Sequence, residues 1–295
     1  MHPRLPVVAA LALALVLPVA HAAQAGGDIP HDQWNAPQKP FRIYGDTWYV
    51  GPYGLTSLLV DTGQGLVLFD GDLPESAPVI EAHIRSLGFR VRDVKWILNS
   101  HAHSDHAGGI VALQAASGAQ VLASAAGKHE LELGGADRSD PQYGSAPRYT
   151  PLKDVRVVRD GETLQLGHVA ITAHDTPGHT AGSTSWTWTS CEGRRCLRIA
   201  YADSLSAISA PGYRFTDHPA YVADFRRGIA AVAALPCDIL LTPHPDASDF
   251  WDRIARRKSP TDVDALVDRQ ACRDYAAEAG KNLDARLAEE RSGGH

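Results

Sequence analysis

The tightest constraint on this chain is one short run, Ser100-His101-Ala102-His103-Ser104-Asp105-His106-Ala107-Gly108-Gly109. It places three histidines and a carboxylate within six residues, directly behind an apolar stretch at 94–98 that reads as a buried strand. Side chains alternate along extended chain, so His101 and His103 point the same way and two imidazoles can grip one ion. Asp105 and His106 follow where the chain turns towards a helix, and they can reach a second ion. Imidazole and carboxylate donors suit zinc best among divalent ions that need neither redox chemistry nor strict geometry.

Other histidines stand at turn-like points after later strands. His174 and His179 lie in His174-Asp175-Thr176-Pro177-Gly178-His179-Thr180, and His244 lies in Leu241-Thr242-Pro243-His244-Pro245. His179 and His244 are the natural completers of the two ligand sets. Isolated histidines such as His83, His129 and His168 read as ordinary surface or core residues.

Around this run the pattern is mixed α and β. Strands are expected at 41–50, 55–61, 66–70, 94–98 and 120–123, with helices at 76–87 and 108–116. A loop at 134–151 is long for a compact domain and reads as a lid. Beyond it, strands are expected at 155–158, 169–173, 183–189 and 197–202, and helices at 221–234 and 262–291. Strands followed by helices in each half indicate two packed sheets covered by helices, in one domain over 23–295. With 44% hydrophobic residues the chain can bury a sizeable core, and a net charge of −6 argues against nucleic acid or an anionic membrane as partner.

Residues 1–22 read as an export signal. Arg4 precedes an apolar run at 7–20, and Ala20-His21-Ala22 or Ala23-Gln24-Ala25 supplies a cleavage site near 22–25. The run is shorter than the roughly 20 residues a spanning helix needs. A periplasmic protein is therefore expected, with no membrane association after cleavage, in a compartment that oxidises thiols. The four cysteines allow three pairings. Cys191 with Cys196 and Cys237 with Cys272 is favoured, because the first pair flanks a turn between two β-like runs and the second would tie a late helix to the core.

The His-x-His-x-Asp-His run, Gly178-His179-Thr180 and the late lone histidine resemble the metallo-β-lactamase superfamily across nearly the whole mature chain. Tyr201-Ala202-Asp203-Ser204-Leu205-Ser206, Leu235-Pro236-Cys237-Asp238 and Leu241-Thr242-Pro243-His244-Pro245 are similar to subclass B3. The resemblance implies an αβ/βα four-layer sandwich, two mixed β-sheets flanked by helices, with two zinc ions at one sheet edge. It assigns His101, His103 and His179 to one ion, and Asp105, His106 and His244 to the other. It also supplies a Cys237–Cys272 disulfide. Where subclass B1 places a cysteine ligand, this chain has Ser204.

The implied activity is hydrolysis of the β-lactam amide of penicillins, cephalosporins and carbapenems by a monomeric enzyme conferring antibiotic resistance. Water activated by the metals replaces a serine nucleophile. Asp105 would orient that water, Ser204 and Ser206 would hold the substrate carboxylate, and Tyr143 of the long loop would stack on substrate. Many relatives run from the second serine or threonine directly into Ala-Pro-Gly-Tyr, whereas Ala207-Ile208-Ser209 intervenes here and is expected to reshape the pocket wall. Asp70 is expected as a carboxylate behind a ligating histidine. The competing expectation is an exported thioester or lactone hydrolase, similar to hydroxyacylglutathione hydrolases, with Asp203 bridging the metals. A non-catalytic zinc protein would need closed sites, and three donors per ion leave both open.

Overall fold

The computed structural model describes residues 30–293. The expected export signal lies outside the described residues.

The first half builds a sheet of seven strands that lie side by side in chain order. These are β1 (Phe41–Tyr44), β2 (Thr47–Tyr49), β3 (Leu58–Asp61), β4 (Leu66–Phe69), β5 (Val94–Leu98), β6 (Gln120–Ala123) and β7 (Val155–Val157). The first four pair antiparallel, whereas β4 to β7 run parallel. Parallel neighbours need crossovers, and helices α1 (Ala77–Ser86), α2 (Ser104–Ala107), α3 (Ile110–Ser117) and α4 (Ala125–Leu133) lie in those connections. The second half builds β8 (Thr163–Leu166), β9 (Val169–Asp175), β10 (Thr184–Glu192), β11 (Arg195–Tyr201) and β12 (Ile239–Leu241), in the order β12-β11-β10-β9-β8. Helices α5 (Pro219–Ala233), α6 (Phe250–Ala255) and α7 (Ala271–Arg291) complete it.

Strand periodicity explains the layers. Leu58, Val60, Val67 and Phe69 face Trp186, Trp188, Ile199 and Tyr201 in a core between the two sheets. Their neighbours Leu59, Leu66 and Leu68 face the other way, onto Ile80, Ile84, Ile110 and Leu113 of α1 and α3. On the opposite flank, Ala200 and Leu240 pack against Phe225, Val232, Leu283 and Leu287 of α5 and α7. Strands buried on both faces read as continuous apolar runs, as 66–69 does. The result is the expected αβ/βα sandwich of two mixed sheets.

Both expected disulfides are present. Cys191 and Cys196 are register partners across the β10–β11 hairpin, and Cys237 joins Cys272 in the first turn of α7. Among the described residues no helix is long and apolar enough to cross a membrane.

Several boundaries differ from expectation. The single strand at 41–50 is two strands hinged at Gly45, whose φ is +51° and whose missing Cβ would fall 2.4 Å from the Ser190 hydroxyl. The helix expected from 262 begins only at Ala271. Residues before it are held by the core instead: Arg253 donates to the Leu266 carbonyl, and Asp268 N–H donates to the Asp238 carbonyl. The strands β8 and β12 and the helices α4 and α6 were not anticipated, being too short to show a period.

Candidate metal centre and active site

The candidate ligands gather where strands of both sheets end. His101 and His103 follow β5 in extended chain, and Asp105 and His106 occupy the short helix α2. His179 sits in the turn after β9 and His244 follows β12. That turn is fixed by close approach: a Cβ on Gly178 would lie 2.2 Å from the Phe225 ring, so the chain can reach this position only with glycine before His179. Two further bonds stitch the ligand run to the second sheet. Trp186 donates its indole N–H to the Asn99 carbonyl at 3.1 Å, and Thr184 N–H donates to the Ser100 carbonyl at 2.8 Å.

The donors converge as two triads. In the first, His103 Nδ1 lies 3.1 Å from His179 Nε2, and single donor atoms of His101, His103 and His179 all lie within 4.8 Å of one another. His101 Nε2 is buried with no hydrogen-bond partner among the described residues. In the second, Asp105 Oδ2, His106 Nε2 and His244 Nε2 form a triangle with every side 3.2 Å. Zn–N bonds of about 2.0–2.1 Å in a tetrahedral site set donor-to-donor distances of about 3.3 Å. An equilateral triangle of that size is the face of a coordination tetrahedron, and the orphaned His101 nitrogen is a donor awaiting a cation. The residues therefore fit metal ions. The donor atoms of His101, Asp105 and His106 also fall within 4.8 Å of one another, which makes the two sites neighbours.

Protonation agrees. Burial, then crowding by neighbouring imidazoles, holds His101 and His179 well below the usual imidazole range, and burial likewise lowers His106. Neutral imidazole is the form that binds metal. Burial works to raise Asp105, but His106 and His244 outweigh it and keep this carboxyl well below its ordinary value. It remains an anion.

Acceptors behind the ligands fix their tautomers. Asp203 Oδ1 lies 2.8 Å from His101 Nδ1, Asp140 Oδ2 lies 2.8 Å from His103 Nε2, and the Ser206 carbonyl lies 2.9 Å from His179 Nδ1. In each case the imidazole donates from the nitrogen facing away from its triad. Asp203 thus stands behind His101 through Oδ1 and in neither ligand group, while its Oδ2 is buried with no hydrogen-bond partner among the described residues. Asp70 does not touch a histidine. It accepts from the Ser100 N–H and hydroxyl, the Asn99 amide and the Tyr201 hydroxyl at 2.6–3.0 Å, and so braces the strand end on which His101 follows. Burial lifts its pKa to about 7. Asp72 is fully buried with neither oxygen hydrogen-bonded among the described residues, and burial, then the neighbouring Asp70 carboxylate, pushes its pKa well up.

The triads open into a cleft of about 1240 Å³. Ser204 and Ser206 line it, and the Ser206 hydroxyl also lies 3.0 Å from His179 Nδ1. Ile208 and Ser209 of the 207–209 stretch form part of the wall, and Ile208 is 55% exposed. The long loop contributes Gln142, Ser145, Ala146 and Pro147; Tyr143 is not among the lining residues, because the turn closed by its N–H on the Asp140 carbonyl presents Gln142 instead. Sequence reasoning missed Asp140 and also Trp34, whose ring packs 5.0 Å from that of His244 and lines the cleft. Neither carries a local motif; only their distance in space from the ligands marks them.

Comparison with known proteins decides the family. The metallo-β-lactamase superfamily domain matches residues 50–192. MEM-A1, a subclass B3 metallo-β-lactamase from a soil metagenome library, superposes with a TM-score of 0.85 at 50% identity, over 88% of this chain and 99% of that one. The chain belongs to the metallo-β-lactamase superfamily, in subclass B3. MIM-1 from Novosphingobium pentaromativorans, another metallo-β-lactamase, gives 0.85 at 45% identity over 93% and 98% of the two chains. A hydroxyacylglutathione hydrolase of Anaeromyxobacter dehalogenans is 32% identical over 59% of this chain. This B3 chain spans only 54% of that curated relative's length. The protein is a metallohydrolase, and its His101, His103 and His179 cluster fits a metal site.

Proposed function

We propose that this protein is a periplasmic, monomeric zinc β-lactamase that hydrolyses the amide of penicillins, cephalosporins and carbapenems and thereby confers resistance. The observation that carries the reading is the pair of adjacent, open triads at the floor of a roomy cleft, in a chain half identical to a B3 enzyme. His101, His103 and His179 would hold one zinc ion, and Asp105, His106 and His244 the other. Bound zinc supplies Lewis acidity and water activated near pH 7.

The protein's own groups do the rest. Asp105 is the sole anion in either triad, so it is the acceptor that orients water. Ser204 and Ser206 offer hydroxyl donors to an anionic substrate group at the cleft wall. The disulfides support an oxidising compartment. The curated thioesterases raise thioester hydrolysis as a second reading. That reading needs Asp203 between the metals, whereas its Oδ1 engages the far side of His101.

The test is hydrolysis of a carbapenem and a cephalosporin by the purified mature protein, run beside a hydroxyacylglutathione thioester. Lactam turnover that dipicolinate abolishes and zinc restores is expected. Thioester turnover without lactam turnover would overturn the proposal.

A further inference from the structure

The loop at 134–151 is fastened to the metal centre at more than one point. Asp140 Oδ2 meets His103 Nε2 at 2.8 Å, while its Oδ1 accepts from the Gln142 N–H at 2.7 Å. Pro141 gives its carbonyl to the Ala210 N–H at 2.8 Å, which joins this wall of the cleft to the one containing Ile208. Farther along, the Tyr149 hydroxyl donates to the Ala102 carbonyl at 2.7 Å, between the two leading histidines. The loop carries no helix or strand of its own, so its order depends on tertiary contacts such as these and on the turns it closes on itself.

We propose that Asp140 is a positioning residue that couples metal occupancy of the first triad to the order of the cleft wall. The inference rests on the metal reading above. For His103 Nδ1 to face a cation, Nε2 must carry the proton, and a carboxylate at hydrogen-bond distance is the acceptor that fixes both tautomer and ring rotation. The same carboxylate starts the turn that presents Gln142 and Pro141. One side chain therefore serves the ligand with one oxygen and the wall with the other. Linkage makes the effect reciprocal: if the ordered loop strengthens metal binding, bound metal orders the loop by the same factor.

Asp140→Ala removes both contacts. Asp140→Asn retains one acceptor oxygen, which serves either His103 or the turn. Zinc affinity would be measured by competition with a chromophoric chelator, in a His244→Ala background so that the first triad alone is read. Hydrogen exchange across 134–151 would be followed in the parent protein and in Asp140→Ala, with zinc and after chelation. Asp140→Ala should weaken zinc by about 10- to 100-fold, Asp140→Asn by less, and zinc should slow exchange in the loop only when Asp140 is present. Unchanged affinity in both variants, or exchange in the parent that ignores zinc, overturns the coupling. Should Asp140→Ala fail to fold, Asp140→Asn alone decides by the same affinity measurement. A parent protein that takes up no zinc instead overturns the metal reading itself.

Discussion

The two triads lie side by side yet are held differently. Every imidazole of the first has a protein acceptor behind it: Asp203 for His101, Asp140 for His103, the Ser206 carbonyl for His179. The second has less support. His106 Nδ1 is buried with no partner among the described residues, and the His244 side chain is 25% exposed beneath Trp34. The first site is thus shaped by the protein before an ion arrives, and the second is shaped largely by its own ligands. Preorganisation lowers the cost of binding, so the first site should be the tighter.

Ligand removal tests this most severely. His179→Ala should cost an ion and lower kcat/KM on a carbapenem by more than about 100-fold, beyond the loss that removing an outer partner brings. His244→Ala should leave one ion tightly bound. Metal content after dialysis against limiting zinc checks both, and ions that always leave together would break the distinction.

A substitution outside both triads shows what loss of fold alone does. Glu290 accepts from the Phe215 and Thr216 N–H groups, the Thr216 hydroxyl and Arg286, which together outweigh burial and lower its pKa to about 2. A carboxyl depressed in the folded state stabilises above its unfolded pKa of about 4.3, and that stability is lost as pH falls towards about 2. Glu290→Gln should therefore cost about 2–3 kcal/mol at pH 7 and progressively less below pH 4, by urea unfolding, with bound zinc unchanged.

The finest probe is Asp203. Asp203→Ala should weaken the first site by about 10- to 100-fold and spare the second, while Asp203→Asn, which still accepts from His101 Nδ1, should cost less. Equal weakening of both sites by both variants would place Asp203 between the metals and restore the thioesterase reading.

What was legible in the sequence follows from locality. His101, His103, Asp105 and His106 announce themselves because strand alternation and a helix start put them on one edge within six residues. His179 and His244 stood out as histidines in turns after strands. The sandwich followed from apolar runs such as 66–69, which are buried on both faces. Asp140, Trp34 and the true place of Asp203 were hidden because each acts through a contact between distant segments. The start of α7 was hidden for the same reason: Arg253 and Asp238 claim the preceding residues, and no local propensity records that claim.

Each triad draws two donors from the chain that follows β5, in the first sheet, and one from the end of a strand in the second. A nascent chain that stops after the first sheet therefore owns two of the three donors of each triad and lacks the third. Filling both triads would therefore be a readout of whole-molecule assembly, and an ion captured by either would rivet the seam between the halves.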